Sequence, residues 1–368
     1  MENQNSVCFV AKIKEVKEIQ GADNIELVTI EGWGSIVQKG KHKEGDLAVV
    51  ATVDAVIPQD LSDAINVTNY LRNGQRVRTV KLRGVYSECL IIPVAENGLY
   101  EGKDMMDALK IYKYEPPAVQ VQLASGKKIR YHQNPNFLVY HKFPNIKNVS
   151  GMFNEEDYVQ ITRKLHGTNA RFGIVKKKKL SLWDRIKKFF GLADEWINYE
   201  YVYGSHNVEK GSDSQGFYNT DVWRTVADKN HFKDILWDMA KSWESIGSGL
   251  VMYGEIYGAG IQKGYDYGLT DIQFAAFDFM MDGGYMNVDF VKASCDVYSI
   301  PHVPILYDGL WSQEIQDSFV FNNNIEGTKV PHEGIVVKHI SGKREKIAKV
   351  INPDYLIYSE KHNVGDSH

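Results

Sequence analysis

Residues 6 to about 112 are built from short β-branched runs, each closed by turn residues, and this cadence leaves no stretch for a long helix. VCFVAKIKEV, IELVTIEGWGSIVQ, DLAVVATVDAVI, VRTVKLRG and SECLIIPV carry the apolar residues. Gly21-Ala22-Asp23-Asn24, Gly40, Gly45-Asp46 and Asn73-Gly74 separate them. Roughly five or six strands in this length predict a small β-barrel, with an OB-fold as the preferred form. The run Tyr112-Lys113-Tyr114-Glu115-Pro116-Pro117 ends the pattern, and AVQVQLASGKK after it reads as a linker.

The texture changes from about residue 130. YVQITRKL, ARFGIVK, GLVMYGEIYG, IQFAAFDFM and GIVVKHI read as strands. DVWRTVADK and HFKDILWDMAKSWESI space their apolar residues three and four apart and read as helices. The expectation is an α+β chain with antiparallel sheets, divided into an OB-fold module over 1–125 and a catalytic-size module over 126–368. A length of 368 residues agrees with two modules.

Bulk properties narrow the function classes. The formal net charge of −4 gives no global reason for polyanion binding, so any such site must be a local basic patch. Cys8, Cys89 and Cys295 are odd in number and far apart, which fits neither a disulfide framework nor a zinc pattern. They suit the cytoplasm or another reducing compartment. The start MENQNSVCFVAKIKEV lacks the layout of a secretory signal, and no run of eighteen apolar residues suggests a membrane span.

RKLHGTNARF places Lys164 beside a Gly-Thr-Asn turn. A lysine amine is a nucleophile only when neutral, and about one in a few thousand is neutral at pH 7. A reactive lysine therefore needs nearby positive charge, a metal ion or burial. A surface lysine beside a turn is the competing reading of those ten residues. YGSHN, YGEIYG, FAAFDF, HEGIVVK and KREKIAKV follow in order, each setting a polar residue in or beside an apolar strand. Glu255 and Glu333 in such strands cost free energy unless paired or metal-bound. With Lys164 and the late lysines they describe a site for an anionic, metal-bound ligand.

That ordered set resembles the covalent nucleotidyltransferases, the ligases and capping enzymes that form a lysine–nucleotide phosphoramide. Lys164-Leu165-His166-Gly167-Thr168-Asn169 resembles their first motif, with His166 where DNA ligases and capping enzymes carry Asp, as in the RNA ligase 2-like branch. Gly254-Glu255, Phe274-x-x-Phe277-Asp278, Glu333-Gly334 and a lysine-rich last motif follow in family order. EIQGADNIELVTIEGWGSIVQKGKHKEGDLAVV is similar to the OB modules of tRNA-binding proteins and of one ATP-dependent RNA ligase branch, which places that module first. DNA ligases and capping enzymes carry theirs last. The KYEPP junction and Pro353-Asp354-Tyr355-Leu356 also resemble that branch.

The resemblance implies an RNA ligase with ATP and Mg²⁺ or Mn²⁺ as cofactors. Lys164, flanked by Leu165, would carry AMP and pass it to a 5′-phosphate RNA end, which a 3′-hydroxyl then attacks, at nicks in a duplex. Glu333 would hold the metal, Glu255 the ribose, Phe277 the adenine with Asp278 in support, and Asn169 the phosphate or a metal-bound water. Lys346 and Lys349 would hold the α-phosphate, with Lys338 as a further candidate. Ser205-His206-Asn207 stands where relatives often have an arginine, so Ser205 and His206 are expected at the ribose or the RNA end. Lys346 and Lys349 are three apart, which a regular strand sends to opposite faces. A monomer without a membrane partner is expected, and a non-catalytic OB-containing RNA-binding protein is the alternative.

Two basic segments stay open. Arg72, Arg76, Arg78, Lys81 and Arg83 offer phosphate contacts to RNA, Arg76 and Arg78 on one strand face and Lys81 and Arg83 on the other. KKKKLSLWDRIKKFFGLADEW, residues 176–196, matches nothing in the family. Its preferred reading is an inserted helix packing its apolar side on the domain; RNA phosphates or a membrane surface are the alternatives.

Overall fold

A computed structural model describes residues 6–94, 98–114, 133–149, 151–192, 194–212, 216–217, 221–362 and 364. The expected linker after Tyr114 and the expected boundary between residues 125 and 126 lie outside the described residues.

The front module is an antiparallel, nearly closed barrel. Its sheet runs Trp33–Gln38, Ile25–Ile30, Cys8–Glu18, Leu47–Thr52, Cys89–Ile92 in spatial order. The two outer strands nearly meet: Ser35 Oγ donates to the Cys89 carbonyl at 3.0 Å and Glu88 N to the Gly34 carbonyl at 2.7 Å. Alternation explains the two cores. Cys8, Val10, Val49 and Ala51 face one side, and Ala11, Ile13, Val28, Ile30 and Val50 the other. The three cysteines are buried and unbridged.

The second module stacks two antiparallel sheets. One orders Ile305–Leu310, Tyr158–Lys164, Gly334–His339, Ile347–Ile351. The other has seven strands centred on Thr168–Lys176, Gly249–Gly258 and Ile272–Met281. The helices Val222–Lys229 and Phe232–Lys241 cover the outer face of the larger sheet, where Phe232, Leu236 and Met239 meet Phe172, Ile174 and Phe274. Asp221 caps the first by accepting from Arg224 N at 2.9 Å. The second stops at Lys241 rather than continuing to Ile246 as the pattern suggested; Ser242 Oγ donates back to the Met239 carbonyl at 2.7 Å.

Register in the smaller sheet sets everything the site needs. Lys164 pairs with Gly334, Thr162 with Val336, and Val336 with Lys349. Lys164, Thr162, Val336, Lys338 and Lys349 therefore share one face. Val159, Ile161, Ile335, Val337, Ala348 and Val350 fill the core behind the other. Gly334 has φ +152°, and a Cβ there would run into the Val350 carbonyl.

The two modules are joined by ion pairs. Lys147 reaches Glu88 and lies 5.4 Å from the Trp33 ring centroid, Arg78 meets Glu360 at 3.0 Å, and Lys81 meets Asp354 at 3.3 Å. Two members of the basic run thus dock the barrel on the helix Pro353–Lys361. The expected regular strand through Arg76 and Arg78 is absent among the described residues: Arg72 and Arg76 form an isolated bridge, the strand is only Val80–Leu82, and Arg83 turns at φ +49°.

Gly334→Ala is expected to cost about 2–4 kcal/mol through combined clash and backbone strain, read as a shifted urea midpoint with an unchanged slope.

Candidate active site

The inner faces of the two sheets and the barrel bound a cleft of ≈ 1530 Å³. From the smaller sheet, Lys164, Lys338 and Lys349 line it. From the larger, Asn169, Glu255 and Phe277 do. Asn169 pairs with Glu255 across neighbouring strands, so both side chains leave the same face. Phe277 falls at a register shift between the pairs Gly254–Ala276 and Tyr253–Asp278.

Lys164 Nζ donates to Glu333 Oε1 at 2.6 Å. Lys164 ends its strand and Glu333 precedes Gly334, so the paired register brings amine and carboxylate together. The other Glu333 oxygen, Oε2, is buried without a hydrogen-bond partner among the described residues and lies 4.0 Å from His166 Nδ1. His166 is buried against Tyr265 and Tyr355, and its backbone N donates to Tyr267 Oη at 2.6 Å. Gly167 is needed here because a Cβ would strike the Ile256 carbonyl of the facing strand.

Leu165, Ser205 and His206 also line the cleft. Asp278 does not; at 1% exposure it accepts from Tyr140 Oη at 2.7 Å, Arg344 Nη1 at 2.9 Å and Lys338 Nζ at 3.1 Å. Lys338 Nζ also donates to the Phe277 carbonyl at 2.6 Å. Burial pushes the Lys338 amine below its ordinary pKa, while Asp278 opposes that shift. Asp278 is therefore a brace for Lys338 and for the Phe277 backbone.

Residues 157–351, over half of the chain, match the RNA ligase family. The chain belongs to that family. An OB-fold domain model matches residues 7–94, in agreement with the front barrel. No curated protein matches the chain. Its fold is shared with solved structures of the Naegleria gruberi RNA ligase. An apo mutant is 22% identical with TM-score 0.69, covering 97% of this chain and 99% of that one. A mutant with ATP and Mn is 23% identical with TM-score 0.70 over 97% and 99%. The enzyme with PPi is 23% identical with TM-score 0.68 over 97% and 99%.

Within the ligase module, the late lysines part company. Lys349 lies on the strand Ile347–Ile351 and faces the cleft. Lys346 closes a 3₁₀ turn, Arg344–Lys346, and donates to Asp157 Oδ2 at 2.8 Å, so it is not brought to the cleft with the others. The turn, rather than strand alternation, separates them.

Several residues at the site had no signal in the sequence. Arg171, wholly buried, donates from Nε to the Ser205 carbonyl at 2.8 Å and lies over Phe137; burial lowers its pKa to about 10. Trp223 Nε1 donates to the Asn169 carbonyl at 3.1 Å and carries Lys210 over its ring. Tyr140 and Arg344 complete the Asp278 brace. Each contact closes over 13 residues or more, which no local pattern reports.

Asp157 has a carboxyl pKa below the usual 3.8, chiefly because Lys346 donates to it. That stabilisation is complete above the unfolded value and is lost as the pH falls through the lower folded one. Lys346→Met is thus expected to cost about 0.5–1 kcal/mol at pH 7, with the deficit shrinking as the pH falls from 3.8 through the lowered folded value, measured by urea unfolding across that range.

Proposed function

We propose that this chain is an ATP-dependent RNA ligase that joins a 3′-hydroxyl to a 5′-phosphate, at nicks, through AMP carried on Lys164. The observation that carries the reading is the Lys164–Glu333 contact of 2.6 Å at a cleft where Asn169, Glu255, Phe277 and Lys349 converge from two sheets. The solved relatives with ATP and Mn and with AMP and Mn support it.

Three transfers follow. Lys164 Nζ attacks the α-phosphorus of ATP; an N–P bond forms, the bond to pyrophosphate breaks, and the amine proton leaves. The 5′-phosphate of the RNA then takes AMP from Lys164. Last, the 3′-hydroxyl attacks the 5′-phosphorus, and AMP departs. Such steps ask for positioning and charge neutralisation. Lys349 neutralises the α-phosphate. Lys338, fixed by Asp278, adds a held positive charge behind the Phe277 backbone. Phe277 stacks the adenine, Glu255 accepts from the ribose, and Asn169 contacts the phosphate. Ser205 and His206 face the ribose or the RNA end. Loading requires the Lys164–Glu333 pair to open.

Glu333 suits a hard divalent cation, since its buried Oε2 has no hydrogen-bond partner among the described residues. Among the described residues no group of three or more His, Cys, Asp or Glu forms a complete cage. A cation held by Glu333 would draw its other ligands from water and phosphate oxygens, which suits Mg²⁺. The chemistry such an ion supplies beside Glu333 is positive charge against the phosphates. Arg72 and Arg76 of the barrel line the same cleft; Arg76 is already paired with Asp54, so Arg72 gives the RNA backbone its contact there.

Incubation with α-³²P-ATP and Mg²⁺ or Mn²⁺, followed by a denaturing gel, tests the reading. Wild type retains label and Lys164→Ala none; Glu333→Ala loses on the order of 100-fold in labelling rate. Nicked duplex RNA is sealed faster than single strands. A folded, unadenylylated wild type that takes no label under either metal returns the chain to the non-catalytic RNA-binding reading.

A further inference from the structure

The insert between the strands Thr168–Lys176 and Tyr199–Ser205 contradicts the expectation that it packs its apolar side inward. Leu182–Phe189 is a helix, started by Ser181 and Asp184 in a reciprocal capping box. On a helical wheel Leu182, Trp183, Ile186, Phe189 and Phe190 span an arc of about 120°, and Asp184 and Lys188 lie opposite. That opposite side is the one tied down. Lys177 Nζ meets Asp184 Oδ2 at 2.9 Å, and Lys188 Nζ donates to Asn198 Oδ1 at 2.8 Å. The apolar face is consequently turned outward: Trp183 is 72% exposed, Phe189 85% and Leu192 76%.

We propose that this helix docks the enzyme on a bilayer rich in anionic phospholipid headgroups. Charge and shape both select that occupant. Residues 176–196 hold seven lysines and arginines against three carboxylates, in a chain whose net charge is −4. Asp184, the one carboxylate within the helix Leu182–Phe189, is already paired with Lys177. Bulky Leu, Trp and Phe side chains on one face, flanked by cations, match the apolar–headgroup boundary of an anionic membrane. RNA fits less well. Trp183, Phe189 and Phe190 could stack bases, but Leu182, Ile186 and Leu192 beside them offer no ring, whereas all six suit an acyl boundary. The insert also leaves the far end of the Asn169 strand, roughly 23 Å from the cleft residues at strand rise. The contact is peripheral, as no helix among the described residues is long and apolar enough to cross a membrane. It revises the expectation of no membrane partner.

The test is co-sedimentation of the full chain with vesicles of phosphatidylcholine alone or with one-third phosphatidylserine. The bound fraction is expected to rise at least fivefold with phosphatidylserine, roughly as two anchoring signals require, and to fall in 0.5 M salt (about a 4 Å screening length). The exposed triple variant W183S/F189S/F190S is expected to keep its melting temperature and to lose vesicle binding. A second variant, K178E/K179E/K187E, separates charge from apolar anchoring and is expected to lose the phosphatidylserine dependence. Equal sedimentation with both vesicles, none with either, or undiminished binding by the serine variant overturns the proposal. Loss of nicked-RNA affinity in that variant, without vesicle binding in wild type, overturns it in favour of RNA.

Discussion

The contact between Lys164 and Glu333 depends on a single strand register. Lys164 pairs with Gly334, so Glu333 sits one residue away with its carboxylate at 2.6 Å from the amine. A one-residue slip of any one of these strands would send its lysine, Lys164, Lys338 or Lys349, to the other side of the sheet. The apolar residues behind the sheet prevent that slip, because Ile161, Ile335 and Val337 would then face the cleft. The core thus holds the Lys164–Glu333 register as much as it holds the fold.

The second sheet supplies the opposite wall by the same logic. Ala170, Phe172 and Ile174 face the helices, which leaves Asn169 and Arg171 on the inner side. Asn169 meets the cleft. Arg171 is spent on the carbonyl of Ser205, tying that residue to the neighbouring strand. Lys338 and Asp278 then bridge the sheets at 3.1 Å, one from each. A buried pair of this kind is costly unless its remaining atoms are satisfied, and Tyr140, Arg344 and the Phe277 carbonyl satisfy them.

The barrel is fastened to the ligase module by charge. Arg78 and Lys81 pair with carboxylates of the C-terminal helix, and Lys147 inserts between Glu88 and Trp33. The same fastening leaves Arg72 and Arg76 over the cleft. Part of the basic run is therefore structural: Arg78 and Lys81 hold the helix, and Arg76 is itself paired with Asp54.

The sequence by itself determined the two modules, the β-barrel and the identity and order of the motif residues. Those features are local: turn residues end strands, alternation assigns faces, and Lys164, Glu255 and Glu333 are conspicuous where apolar residues belong. Tertiary structure alone decided what each charge is for. Lys346 turns to Asp157 because a 3₁₀ turn precedes its strand, whereas Lys349 follows the strand into the cleft. Asp278 braces rather than lines, since partners from residues 140, 338 and 344 close around it. The insert presents its apolar face outward because Lys177 and Asn198 hold the polar one. In each case the partner lies beyond its own segment or across a turn, and a periodicity read within one segment carries no information about it.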